Sequence, residues 1–146
     1  MADVRTGQCL CGAVTVKTEV TGDVQACHCV QCQRWTGGGP YLCARAKNTE
    51  VSGGDNVIAY HASTWGERVV CKTCGSTLWW KMQDGEVDYV SVGMLDDQSG
   101  LTLTEEIFVD YRPEWMPPFP GAAQSTEAEQ IAKFDAWMAK QGKSVE

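Results

Sequence analysis

Seven of the eight cysteines in this 146-residue chain fall into three short groups. The first is Cys9-Leu10-Cys11-Gly12, the second Cys27-His28-Cys29-Val30-Gln31-Cys32, and the third Cys71-Lys72-Thr73-Cys74-Gly75; Cys43 stands alone. Two residues between the thiolates of Cys71 and Cys74 let both sulfurs reach one ion at about 2.3 Å, and Gly75 lets the turn go left-handed. In an extended segment residues i and i+2 face one side, so Cys9 and Cys11 can complete a tetrahedral site of four thiolates. Such a site is closed and therefore structural.

The second group differs. Cys27 and Cys29 share a face and Cys32 returns to it after a short turn, which places three thiolates within one segment. His28 points the other way if the segment is extended and is not counted as a ligand. A zinc ion with three protein ligands keeps a fourth position for water or a thiol, the arrangement of a reactive site. Other readings stand beside this one. The cysteines could form disulfides, although neighbours in Cys-x-Cys bridge poorly. Cys71 and Cys74 could be a redox pair, although the βαβ context is missing. The second group could be structural with Cys43 or His28 as fourth ligand. Cys43, within the apolar run Tyr41-Leu42-Cys43-Ala44, reads as a buried small hydrophobe.

The elements that carry these groups read mainly as short strands with Gly and Asx punctuation over the first 110 residues or so. Residues 13–20 alternate, with Val14 and Val16 on one face; residues 24–28, 41–46, 57–61 and 68–71 are further candidates. Residues 77–82 and 87–92 flank Gln83-Asp84-Gly85-Glu86, a hairpin signal. Strand alternation divides Trp79 and Trp80 between core and surface. A last strand is expected at 107–110. The prolines between Arg112 and Gly121 forbid helix and predict an extended segment over the surface. Thr126 and Glu129 then form a capping box, Ile131, Phe134 and Trp137/Met138 recur at helical spacing, and Gly142 marks a stop.

The length suits one domain, residues 1–146, with a core over about 5–112, a Pro-rich segment at 113–121 and a helix at about 126–141. A formal charge of −7 and only 12 Lys+Arg predict no nucleic-acid partner. No apolar run is long enough for a transmembrane helix, so no membrane partner is expected. The opening Met1-Ala2-Asp3-Val4-Arg5 has neither the basic nor the apolar region of a secretory signal, so a cytoplasmic, reducing location is expected.

Taken together, Gly7-Gln8-Cys9-Leu10-Cys11-Gly12-Ala13-Val14, Cys27-His28-Cys29-Val30-Gln31-Cys32-Gln33-Arg34 with Gly37, and Cys71-Lys72-Thr73-Cys74-Gly75-Ser76 resemble the three signatures of the glutathione-dependent formaldehyde-activating enzyme family, also called the centromere-protein-V/formaldehyde-activating domain. Gly93-Met94-Leu95-Asp96-Asp97 and Ile107-Phe108-Val109 are similar to its late segment. Gln33 departs from the basic residue more usual there. The resemblance implies a mainly β, zinc-stapled, β-tent-like fold of short antiparallel strands with the C-terminal helix added. It implies two zinc ions per chain: a structural one on Cys9, Cys11, Cys71 and Cys74, and a catalytic one on Cys27, Cys29 and Cys32. The implied activity is that of a carbon–sulfur lyase condensing glutathione, or a similar thiol, with formaldehyde to S-hydroxymethylglutathione.

Glutathione carries two carboxylates, so a cationic lining is expected, with Arg34 the first choice ahead of Arg45, Lys47 and Arg68. Trp35 is a candidate wall for the same pocket. His61 and Asp96 are candidates for a general acid or base, with a surface or turn role as the plainer reading. The competing functions are a non-catalytic zinc-binding module or glutathione carrier and a purely structural two-zinc protein.

Overall fold

Alternation in the N-terminal third, with Val14, Val16, Thr18 and Val20 all buried, builds one face of a long strand. A computed structural model describes residues 3–140. Its strands are β1 (Val4–Gln8), β2 (Thr15–Cys27), β3 (Tyr41–Ser52), β4 (Val57–Tyr60), β5 (Gly66–Cys71), β6 (Thr77–Met82), β7 (Tyr89–Ser91), β8 (Thr102–Ile107) and β9 (Ala123–Ser125), with helices α1 (Val30–Thr36) and α2 (Glu127–Lys140). The fold is mainly β with a C-terminal helix, as expected. Gly142 lies outside the described residues.

Contacts divide the chain into two compact units, one of residues up to 24 and 42–102, the other of residues 25–41 and from 103 onward. In the first unit the strand order is β4-β5-β6-β7-β3-β2, and β1 pairs antiparallel with β2. The hairpin expected around Asp84-Gly85 is formed by β6 and β7, with Trp79 opposite Val90 and Trp80 opposite Tyr89. Trp79 faces inward and Trp80 is half-exposed between Trp65 and Tyr89, at ring distances of 5.6 and 5.9 Å. The main core packs Val14, Val16, Val69, Leu78, Trp79, Val90 and Met94 together with Cys9 and Cys71. Two sulfur positions of the proposed closed site are thus themselves core residues.

In the second unit β8 pairs in parallel with β9. The capping box of α2 is present: Thr126 N–H donates to Glu129 Oε1 at 3.0 Å, and Glu129 N–H donates to Thr126 Oγ1 at 3.3 Å. Of the helix's apolar positions, Met138 is buried and Phe134 half-buried, while Ile131 and Trp137 stay exposed.

Several local expectations change. The separate strands at 13–20 and 24–28 are one strand of 13 residues, because Gly22 carries the chain through at φ 97°. The strand at 107–110 ends at Ile107: Phe108 turns left-handed (φ 56°), and Val109–Tyr111 forms a 3-10 turn. The turn expected before Cys32 is α1, whose Cys29 N-cap accepts from Cys32 N–H.

Asp88, just before β7, carries a testable cost. Its Oδ1 is buried without a hydrogen-bond partner among the described residues, and burial raises its pKa from 3.8 to about 6. The folded chain keeps a proton that the unfolded chain releases, so stability falls as pH rises through this range and is lowest above it. Asp88→Asn is expected to stabilise the protein at pH 8 by about 1 kcal/mol, after allowance for solvent screening, or about 2–4 °C in melting temperature. The gain should vanish at pH 3.5 in thermal melts; an equal gain at both pH values would show that ionisation is not its source.

Candidate metal centres

Cys9 leaves the end of β1, Cys11 sits in the turn that follows, and Cys71 closes β5 with Cys74 in the next turn. Both turns close on the carbonyl of their first cysteine, over three residues in one and four in the other. Gly12 N–H donates to Cys9 O at 3.1 Å and Gly75 N–H to Cys71 O at 2.9 Å. Both glycines are left-handed, at φ 81° and 74°, where a side chain would be strained. All four Sγ atoms lie within 4.8 Å of one another. Cys11 Sγ is 3.7 Å from Cys9 Sγ and 3.8 Å from Cys71 Sγ. Sulfurs at about 2.3 Å from one tetrahedral ion stand about 3.8 Å apart, so the donor set fits zinc in both chemistry and size.

Hydrogen-bond donors from nearby segments reach these sulfurs. Val14 N–H donates to Cys9 Sγ at 3.4 Å, and Asn56 Nδ2 to Cys71 Sγ at 3.7 Å. Ser76 Oγ lies 3.1 Å from Cys74 Sγ and accepts from Leu10 N–H at 3.0 Å, linking the two turns. The Ser76 hydroxyl and backbone bring Cys74 down to about 5. Burial acts against ionisation of Cys9, but the Val14 N–H and the hydrogen bonds of Cys11 and Cys71 outweigh it and its pKa is lowered. Cys11 accepts from the Ala13 N–H, yet burial and the neighbouring sulfurs push it up to about 11. Four thiols this close cannot all ionise without a cation to offset their charge. Ser76 and Asn56 escaped the sequence reading. Ser76 was visible only as part of a signature, and Asn56 reaches the site because the turn after β3 returns to Lys72, whose N–H donates to Asn56 O at 2.9 Å.

The second group belongs to the other unit. Cys27 ends β2, Cys29 caps α1 and Cys32 lies in its first turn, so a strand end and a helix start bring the three Sγ atoms within 4.8 Å of one another. Cys32 N–H donates to Cys29 Sγ at 3.3 Å. Hydrogen bonding and charge from Cys29 and Cys32, together with burial, push the Cys27 thiol far up. The three soft donors fit zinc with one coordination position left over. Cys43 is buried and lies outside both groups, and all eight cysteines are free of disulfides.

His28, between two of these cysteines, is buried and does not join them. Its Nε2 is 2.7 Å from Glu106 Oε1. The Glu106 carboxylate, also fully buried, receives Arg112 Nη1 at 3.2 Å on Oε1, and Gln124 Nε2 at 2.6 Å and Phe119 N–H at 2.9 Å on Oε2. Burial alone would raise its pKa, but Gln124, His28, Phe119 and Arg112 together hold it below the usual value. Glu106 had no sequence signal: it falls beside Ile107, so both residues of an alternating pair are buried.

Arg34 is exposed in the last turn of α1, while Trp35 is half-buried with its ring centroid 4.7 Å from that of Tyr41. Gln33 donates from Nε2 to His28 O at 2.7 Å and to Tyr111 O at 2.9 Å, a bracing role for which a basic residue is not needed. In the first unit Arg45 lies over the Tyr89 ring at 5.9 Å, Arg68 is buried opposite Trp80, and Lys47 is exposed. His61 pairs with Glu67 at 2.9 Å on the surface, and the exposed Asp96 accepts from Thr6 Oγ1 at 2.9 Å; neither belongs to a cysteine group. No helix among the described residues is long and apolar enough to cross a membrane.

Comparison with known proteins agrees with this geometry. The chain is 27% identical over 110 residues to an uncharacterised lyase of Schizosaccharomyces pombe, covering 74% of this chain and 80% of that one. A crystal structure of a Rhodobacter sphaeroides protein shares the fold, with a TM-score of 0.54 and 23% identity over 83% of this chain and 99% of that one. A family profile described as glutathione-dependent formaldehyde-activating enzyme matches residues 4–111, a span that contains both cysteine groups. The chain therefore belongs to the glutathione-dependent formaldehyde-activating enzyme family.

Proposed function

We propose that this protein is a cytoplasmic, zinc-dependent enzyme of the carbon–sulfur lyase type, which condenses glutathione with formaldehyde to S-hydroxymethylglutathione. The observation that carries the reading is the inequality of the two cysteine groups: four sulfurs can close one site, whereas three converge at the other. The family description and the lyase name of the yeast relative support the reaction class. Zinc held by Cys27, Cys29 and Cys32 would supply positive charge and one open position, which favour a thiolate or polarise an aldehyde oxygen.

The chain's own residues bind and orient. A free thiol is mostly protonated at neutral pH, so a site that favours its anion and holds it against an aldehyde gains from ionisation and proximity together. In the reaction the C–S bond forms as the carbonyl π bond opens, and the proton lost by the thiol ends on the new hydroxyl oxygen. Arg34, exposed in the last turn of α1 two residues after Cys32, is assigned to a glutathione carboxylate, and Trp35, braced by Tyr41, to the pocket wall.

The test is exchange NMR with carbon-13 formaldehyde and glutathione, on wild type as loaded and after chelator treatment, with 2-mercaptoethanol as a thiol lacking carboxylates. Acceleration with glutathione, abolished by chelation and weaker with 2-mercaptoethanol, is the expected result. No acceleration despite glutathione binding would sink the enzyme and leave a carrier. Two zinc ions per chain with no response to either thiol would leave a structural protein.

A further inference from the structure

His28 is anchored at three points. Its N–H donates to Ile107 O at 3.0 Å, its carbonyl accepts from Gln33 Nε2 at 2.7 Å, and its ring Nε2 meets Glu106 at 2.7 Å. Cys27 and Cys29 are its immediate neighbours, so a shift of His28 must move two sulfurs. The ring is the one anchor that depends on a charge. We propose that Glu106 is the positioning residue of the Cys27-Cys29-Cys32 group: its carboxylate, held by Arg112, Gln124 and the Phe119 N–H, fixes the His28 ring and through it the spacing of the sulfurs.

Geometry makes the carboxylate hard to replace. Among the described residues, all four partners of its two oxygens are donors: the His28 ring and Arg112 on one side, Gln124 and Phe119 on the other. With Glu106 ionised, His28 carries its hydrogen on Nε2, and its buried Nδ1 has no partner among the described residues. An amide at position 106 turns one acceptor into a donor. If that donor faces His28, the ring must switch tautomer or turn away; if it faces the other side, it opposes the Phe119 N–H and the Gln124 amide, whose Oε1 already accepts from Arg112 at 2.9 Å. Buried donors left without acceptors cost about 1–3 kcal/mol each. Carboxylates that orient residues around a metal typically change its affinity by about 10- to 100-fold.

The proposal rests on Cys27, Cys29 and Cys32 forming a metal site, and not on glutathione chemistry. The test uses the full chain loaded with cobalt(II), whose thiolate absorption bands follow each site, and Cys32→Ser supplies the spectrum of the four-cysteine site alone. On addition of chelator, Glu106→Gln is expected to release cobalt from the three-cysteine site about 10- to 100-fold faster than wild type. Release from the four-cysteine site should be unchanged. Glu106→Asp, which keeps the charge, should fall between the two. His28→Leu should match Glu106→Gln, and the double variant should be no faster than either, because both changes cut one link. Unchanged release in Glu106→Gln, additive effects in the double variant, or loss of cobalt from both sites together would each overturn the proposal; the last would make Glu106 a residue of the fold alone. A wild-type chain that takes up one cobalt instead of two would instead overturn the metal reading on which it stands.

Discussion

Cys71→Ser is expected to lower the melting temperature by about 10–20 °C and to remove one zinc ion per chain. Three features of Cys71 combine to give this size. Its Sγ is one of four converging donors, its side chain is 1% exposed within the main core, and it accepts from the Asn56 amide. Structural zinc sites supply about 10 kcal/mol or more of folding free energy, against a total native stability of about 5–15 kcal/mol. A hydroxyl in place of the thiolate weakens that contribution and leaves a buried polar group, and a loss near 5 kcal/mol corresponds to the stated shift for a chain of this length. Cys11→Ser should cost less, because Cys11 is exposed at the turn and lies outside the main core. Cys43→Ala is the control: it removes a buried sulfur outside both groups and should cost about 1–2 kcal/mol with both zinc ions retained. Thermal unfolding by circular dichroism with zinc counted by mass spectrometry decides the matter. A Cys71→Ser protein that melts within about 3 °C of wild type would show that zinc on this group does not hold the fold together.

Much of this site is legible in the chain because thiolate geometry is local. The Cys-x-x-Cys-Gly spacing and the left-handed glycine at 75 describe one turn, and the Cys9 turn, one residue shorter, also ends on a left-handed glycine. Trp79 and Trp80 could be divided between core and surface for a similar reason, since strand alternation needs no knowledge of the partner strand. What sequence pattern missed depends on distant segments. The 7-residue α1 offers about two turns of signal, and its start overlaps the cysteine spacing that suggests an extended segment. Phe108, a bulky residue at positive φ, ends β8 against its own preference, which local propensity has no means to anticipate. Glu106 is the clearest case. Its burial is tolerable only because donors 6, 13, 18 and 78 positions away meet it, and none of those separations leaves a periodic trace.

If the three-cysteine group is the reactive site proposed, it should fail without the fold failing, and Cys32→Ser is the variant that separates the two. Cys32 lies in the first turn of α1, where its backbone serves the helix: its N–H donates to Cys29 Sγ and its carbonyl accepts from Thr36 Oγ1 at 2.9 Å. Serine keeps that backbone and nearly the same volume while removing the soft donor. The four-cysteine group lies in the other unit and shares no ligand with it. The expected result is therefore one zinc ion per chain, a melting temperature within about 5 °C of wild type, and loss of at least about 100-fold of the glutathione–formaldehyde exchange rate. That loss corresponds to about 2.7 kcal/mol of barrier, a modest share of what a Lewis-acidic ion supplies. Retained acceleration in a protein that has lost the second zinc would place the chemistry elsewhere. Loss of both zinc ions and of the fold would mean that the three-cysteine group is structural after all. A fall in activity with the first zinc and the melting temperature intact is the pattern that only a reactive three-thiolate site produces, because a structural one cannot lose its ion without loss of stability.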